Sequence, residues 1–137
     1  MKILVVDDEK IILQGIAKLL KANSLVSEVY CAEDAFIALD FLKCHRVDVV
    51  VTDIRMPGMD GLEMLRRLRE EGCEAKFILL TAYSDFAYAQ TAVKLGASDY
   101  LLKPFHDGEL EAAVARIIEK SRSRAQAGLV DLSLIHI

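Results

Sequence analysis

Five polar residues in this sequence each stand at the end of an apolar run, and their types suit one chemistry. Asp7 and Asp8 follow Ile3–Val6, Asp53 follows the run 47–52, Thr81 follows Phe77–Leu80, and Lys103 follows Tyr100–Leu102. If these runs are strands of one open parallel sheet, their ends share the edge where such sheets bind ligands. Clustered carboxylates repel one another and stay ionised together only beside a cation. Oxygen donors of this kind suit Mg²⁺, which binds through one or two carboxylates plus phosphate and keeps part of its water. A carboxylate can attack a phosphoryl group to form an aspartyl phosphate. An ammonium and a hydroxyl can bind the phosphoryl oxygens. The set points to Mg²⁺-dependent phosphoryl acceptance, with Asp53 as the acceptor.

Each residue also has a plainer reading. Asp53 would serve as a loop or cap residue, and Asp7 or Asp8 would cap a helix starting near Glu9. A strand-end Thr is ordinarily a β-former, and surface lysines are common. Their common position at one rim is what favours the chemical reading, and capping by Asp7 or Asp8 is compatible with it. Lys103 precedes Pro104, and an X-Pro bond can be cis.

The elements that must carry these residues alternate. Short apolar runs separated by longer amphipathic segments read as repeated βα units around a parallel sheet, five strands and five helices. The run from Val26 to Cys31 is the weakest of the five, interrupted by Ser27 and Glu28, and reads as an edge strand. The first helix is expected from about Glu9 to Ala22, with Gly15 costing roughly 1 kcal/mol relative to Ala. Asp60 and Glu63 have capping-box spacing, Gly72 reads as the stop, and Leu62, Leu65 and Leu68 form the buried stripe between them. A further helix should begin at Ser84 or Asp85 and end at Gly96, with Phe86, Ala89 and Val93 facing inward. The last helix should run from about His106 to Ser121, with Leu110, Val114 and Ile117 on its apolar face.

Length and composition bound the function classes. The 137 residues suit one domain with one core. With 53% apolar and 28% charged residues the composition is that of a globular, cytoplasmic domain. A net charge of −4 gives no reason to expect these residues to bind nucleic acid directly. No secretory leader pattern and no membrane-spanning apolar run is present. Cys31, Cys44 and Cys73 lack C-x-x-C spacing, which argues for reduced thiols and against zinc. Cys31 and Cys44 are expected as buried hydrophobes, Met56 and Met59 as loop packing, and His45 and His106 as surface residues.

Four segments together resemble the receiver domain of bacterial two-component response regulators. They are Leu4–Glu9 (LVVDDE), Asp53–Gly61 (DIRMPGMDG), Thr81–Ala82, and Gly96–Phe105 (GASDYLLKPF), and the resemblance covers Met1 to about Arg124. It implies a flavodoxin-like (CheY-like) doubly wound five-stranded sheet of order 2-1-3-4-5. It also implies that Asp53 accepts phosphate from the phosphohistidine of a sensor histidine kinase. Mg²⁺ would be held by Asp8, Asp53 and the backbone carbonyl of Arg55, with Asp7 assisting through water. Thr81 and Lys103 would bind the phosphoryl group. Tyr100 would be the switch aromatic, turning inward as Thr81 moves; packing on a half-buried strand is the plainer role for a Tyr. Arg55 and Tyr83 sit where the family tunes phosphate lifetime, either shielding the acyl phosphate from water or standing as solvated rim residues. Such a domain catalyses only its own phosphorylation and dephosphorylation.

The stretch from Ala82 to Gln90, running into Asp99–Pro104, resembles receivers joined to AraC-type helix-turn-helix output domains, as in YesN-like regulators. DNA would then be bound only by a C-terminal output domain absent here, and the face of the last two helices would offer a homodimer surface. The expected organisation is a receiver over 1–121 and a linker over 122–131. The six residues Leu132–Ile137 (LSLIHI) match a translated transposon end used in sequencing-library preparation, and read as a non-native tail. Three alternatives remain. A stand-alone receiver requires the tail to be genuine. A Mg²⁺-dependent aspartyl-nucleophile phosphohydrolase would ordinarily carry a second Asp where Arg55 stands. A flavodoxin-like cofactor binder would need a Ser/Thr/Gly-rich loop where Asp7, Asp8 and Glu9 stand.

Overall fold

The computed structural model describes residues 1–82, 86–106 and 108–120, except for the side chains of residues 86, 88 and 89. The expected helix start at Ser84 or Asp85, the inward placement of Phe86 and Ala89, Tyr83, and residues 122–137 lie outside what is described.

The strands are β1 (Lys2–Val6), β2 (Glu28–Ala32), β3 (Val49–Asp53), β4 (Lys76–Ala82) and β5 (Asp99–Lys103). They are joined by α1 (Lys10–Lys21), α2 (Ala35–Cys44), α3 (Gly61–Glu70) and α4 (Phe86–Lys94), and α5 follows over 108–120. All neighbouring strands are parallel, in the order β2-β1-β3-β4-β5. This is the expected doubly wound sheet, and β2 is indeed at an edge.

Alternation along the strands splits the core into two layers, because successive side chains point to opposite faces. Leu4, Val6, Val50, Phe77 and Leu79 meet Ala35, Ala38, Met64, Leu65 and Leu68 from α2 and α3. Ile3, Val5, Val49, Val51, Ile78 and Leu80 meet Leu13, Ile16 and Leu20 of α1 and Leu110, Val114 and Ile117 of α5. The central strands therefore read as unbroken apolar runs, since both of their faces are covered.

The helix starts follow the side-chain chemistry of their caps. Asp34 accepts from the Ile37 amide at 2.7 Å, and Asp60 accepts from the Glu63 amide at 2.8 Å. Only this half of the expected capping box is seen, because the Glu63 carboxylate turns instead to Arg66 at 2.5 Å and Arg67 at 3.2 Å. Leu65 and Leu68 are buried as expected, with Leu62 half-buried and Met64 completing the stripe.

Two expectations fail. Val93 is 46% exposed, and α4 instead buries Ala92, whose small side chain lets the helix approach the sheet closely. Cys31 and Cys44 are exposed, one on the edge strand and the other in the last turn of α2, while Cys73 is partly buried.

One glycine is fixed by a close approach. A Cβ on Gly61 would lie 2.3 Å from the Asp53 carbonyl oxygen, and the Gly61 amide donates to the Ile54 carbonyl at 2.7 Å. The start of α3 thus leans on the backbone at the end of β3. Gly15, by contrast, has nothing within 4 Å of its would-be Cβ and lies inside α1. Opposite outcomes are expected in denaturant titrations. Gly61→Ala should lose about 2 kcal/mol or more, because backbone must move. Gly15→Ala should gain about 0.5–1 kcal/mol.

Candidate functional site

The strand order reverses between β1 and β3, so a crevice opens beyond their carboxyl ends. Asp7 and Asp8 follow β1 there, and Asp53 is the last residue of β3. Register does the rest. Asp53 pairs with Leu80, Thr81 with Leu102, and Ala82 with Lys103, which brings Thr81 and Lys103 to the same rim from β4 and β5.

Four of the expected residues converge. Carboxylate oxygens of Asp7, Asp8 and Asp53 all lie within 4.8 Å of one another. The Lys103 ammonium donates to Asp53 Oδ2 at 2.9 Å and stands 3.9 Å from Asp7 Oδ2. The Lys103–Pro104 peptide bond is cis. Asp8 is exposed, whereas Asp53 is 8% exposed and Asp7 fully buried.

Asp7 is the electrostatically costly member. Its Oδ1 accepts from the Glu9 amide at 2.9 Å, so it also serves the start of α1. Its Oδ2 is buried without a hydrogen-bond partner among the described residues. Burial pushes the Asp7 carboxyl above the ordinary range. The Glu9 amide opposes this, the Asp53 charge adds to it, and Lys103 and Asp8 follow with smaller opposing effects. A buried oxygen with an unused lone pair, beside two further carboxylates, is a donor set that fits a small hard cation.

The remaining expected residues are placed less directly. Thr81 is fully buried, and its hydroxyl donates to the Ala82 carbonyl at 3.1 Å. Tyr100 is half-buried on β5 and packs against the same core layer as α3 and Ala92 of α4. Arg55 is exposed in the loop after β3, and Tyr83 lies outside the described residues. His45 and His106 are at the surface, and Met56 and Met59 are buried in the loop, as expected.

Two contributors are not legible as functional in the sequence. Thr52, the residue before Asp53, donates its buried hydroxyl to the Asp53 carbonyl at 3.0 Å. Gly61 permits the close approach to that same carbonyl. The quoted motif contained Gly61, but its contact appears only in three dimensions.

Residues 3–115 match the response regulator receiver domain family. This chain belongs to that family. The receiver is 36% identical over 118 residues to the uncharacterized transcriptional regulatory protein YesN of Bacillus subtilis, covering 85% of this chain and 32% of that protein. It is 32% identical to the transcriptional regulatory protein HptR of Staphylococcus aureus, covering 85% of this chain and 46% of that one. The chain thus spans about a third of one of these relatives and just under half of the other. Among solved structures, the REC domain of AraT, a response regulator from Geobacillus stearothermophilus, superposes with a TM-score of 0.81 at 40% identity, covering 90% of this chain and 97% of that one. The receiver is therefore a two-component signalling domain rather than a conventional enzyme.

The raised pKa of Asp7 sets a pH signature in cation-free buffer. Between the unfolded value, about 3.9, and the raised folded value, the native state holds more protons than the unfolded one. Stability attributable to Asp7 therefore falls as pH rises through that window, and the cost is complete above it. In EDTA, Asp7→Asn should melt a few degrees above wild type at pH 7, the shift that ~1 kcal/mol produces. That gap should narrow as pH falls toward the ordinary carboxylate value. A gap that widens on acidification would contradict the assignment.

Proposed function

We propose that Asp53 accepts a phosphoryl group from the phosphohistidine of a sensor histidine kinase, in a Mg²⁺-dependent reaction that switches an output. The observation that carries this reading is the Asp53 carboxylate, 2.9 Å from the Lys103 ammonium and beside the buried Asp7 Oδ2, which accepts no hydrogen bond among the described residues. An oxygen of Asp53 attacks phosphorus, the phosphorus–nitrogen bond of the kinase histidine breaks, and an aspartyl phosphate forms. Asp8, Asp53 and the Arg55 carbonyl would hold Mg²⁺, with Asp7 acting through water. Bound there, the ion would offset the charge of the carboxylates and the phosphoryl oxygens.

Lys103 keeps its ammonium at the acceptor and passes from the free carboxylate to a phosphoryl oxygen. Thr81 has a hydroxyl spent only on a neighbouring carbonyl, and it turns to a second phosphoryl oxygen. Tyr100 then follows into the space Thr81 leaves. The added charge and acceptor oxygens bias the two states, and a partner that distinguishes them reads the result. Arg55 and Tyr83 set the phosphate lifetime by shielding it from water. Beyond phosphorylating and dephosphorylating itself, the domain turns over no substrate.

The output is proposed to be transcriptional, through an AraC-type DNA-binding domain joined by the linker 122–131 after a receiver over 1–121, in the cytoplasm. Support comes from the names of YesN and HptR, of which this chain spans only part. Residues 132–137 are taken as non-native. Self-association would use the face of the last two helices, α4 and α5. The phosphohydrolase alternative gains nothing, since Arg55 stands where a general acid would be needed.

Intact-mass measurement after incubation with phosphoramidate and Mg²⁺ should show one added phosphoryl group on wild type. None should appear on Asp53→Asn or in EDTA. Equal uptake by Asp53→Asn would sink Asp53 as the acceptor.

A further inference from the structure

Arg69, near the end of α3, spends its guanidinium entirely on main chain and one ring. It donates to the Cys73 carbonyl at 2.6 Å, the Ala75 carbonyl at 2.8 Å and the Gly96 carbonyl at 3.2 Å. It also lies over the Phe77 ring, 5.2 Å from the centroid. Its helix neighbours Arg66 and Arg67 behave as surface arginines do, pairing with Glu63 and Glu70. Arg69 instead ties three chain segments together: the end of α3, the start of β4, and the turn between α4 and β5.

That turn is the far end of α4 from the site. Its backbone is already well bonded, with Ala97 N–H donating to Ala92 O at 3.0 Å and Ser98 N–H to Phe77 O at 2.8 Å. Gly96 holds φ of +99°, and a Cβ there would meet Arg69 Nε at 3.3 Å, so glycine suits both the conformation and the contact. The Gly96 carbonyl points away from these ladders and takes the guanidinium. At the other end, α4 begins at Phe86, four residues beyond Ala82 and five beyond Thr81.

We propose that Arg69 pins the C-terminal end of α4, so that the helix answers events at the site by swinging about Gly96 rather than by sliding along the sheet. A helix coupled to a site at one end and fixed at the other converts a small shift into rotation of an exposed face, as hinged elements do. An arginine suits the pin because its planar fork reaches several carbonyls at once, which an ammonium does not. This inference rests on the switch reading only for what moves; the pin itself is a property of the resting chain.

The test is amide hydrogen exchange on the whole chain, for wild type, Arg69→Met, Arg69→Lys and the control Arg66→Met. In the resting state, peptides covering 95–98 should exchange at least tenfold faster in Arg69→Met than in wild type, less so in Arg69→Lys, and unchanged in Arg66→Met. With beryllofluoride and Mg²⁺, exchange in wild type should change around 82–90 and stay constant at 95–98; in Arg69→Met the change should spread into 95–98. If Arg69→Met fails to fold, Arg69→Lys carries the same comparison. Unchanged resting exchange at 95–98 in both variants overturns the pin. A wild-type change at 95–98 as large as that at 82–90 overturns the pivot. Absence of a beryllofluoride adduct by fluorine NMR overturns the site reading, while the resting comparison still decides the pin.

Discussion

Crowded negative charge at the carboxyl edge of the sheet is the constraint around which this domain is arranged. Asp7 and Asp53 are buried, Asp8 stands beside them, and one ammonium, that of Lys103, is within ion-pair distance of the two buried members. Burial pushes the Asp7 carboxyl above its ordinary range, and the neighbouring Asp53 charge adds to the effect. Among the described residues, Lys103 sets one ammonium against this cluster of three carboxylates. A polar cluster left part-satisfied is costly in a protein interior. On the reading proposed above, the remaining partner of this strand-end cluster is a cation from solution.

The rest of the structure holds that cluster in place. Central strands buried on both faces give β1 and β3 a fixed register, and a one-residue slip would turn the carboxylates away from the crevice. The Asp53 carbonyl is enclosed by the Thr52 hydroxyl and by the bare α-carbon of Gly61. Asp7 does two tasks, holding the first turn of α1 with one oxygen and facing the site with the other. On the far side of the sheet, Arg69 fixes the corner at which α4 returns.

Much of this was legible in the sequence, for identifiable physical reasons. Parallel strands covered on both faces leave continuous apolar runs, and the polar residue ending each run marks the edge, so Asp7, Asp8, Asp53, Thr81 and Lys103 were found by position alone. The edge strand was harder: with one side unpaired it needs no apolar run, and its start was read at Val26 rather than Glu28. Apolar size alone points Val93 inward, whereas α4 uses the smaller Ala92 at its contact. Cys31 and Cys44 were misjudged in the same way, since residue type does not say which side of an edge strand or last helical turn faces solvent. Arg69 was invisible because its partner Gly96 is 27 residues away, and an arginine on an amphipathic helix reads as solvated.

The claim that the cluster awaits a cation is most directly tested by thermal melting of wild type and Asp8→Ala across a MgCl₂ titration, with NaCl matching the ionic strength. Asp8 is exposed, so its removal leaves the core intact. Wild type should gain stability in a saturating curve, about 2.7 kcal/mol at a hundredfold excess over Kd. Asp8→Ala should gain far less at the same concentrations. A wild-type melting temperature indifferent to Mg²⁺, or an equal gain in both proteins, would contradict it.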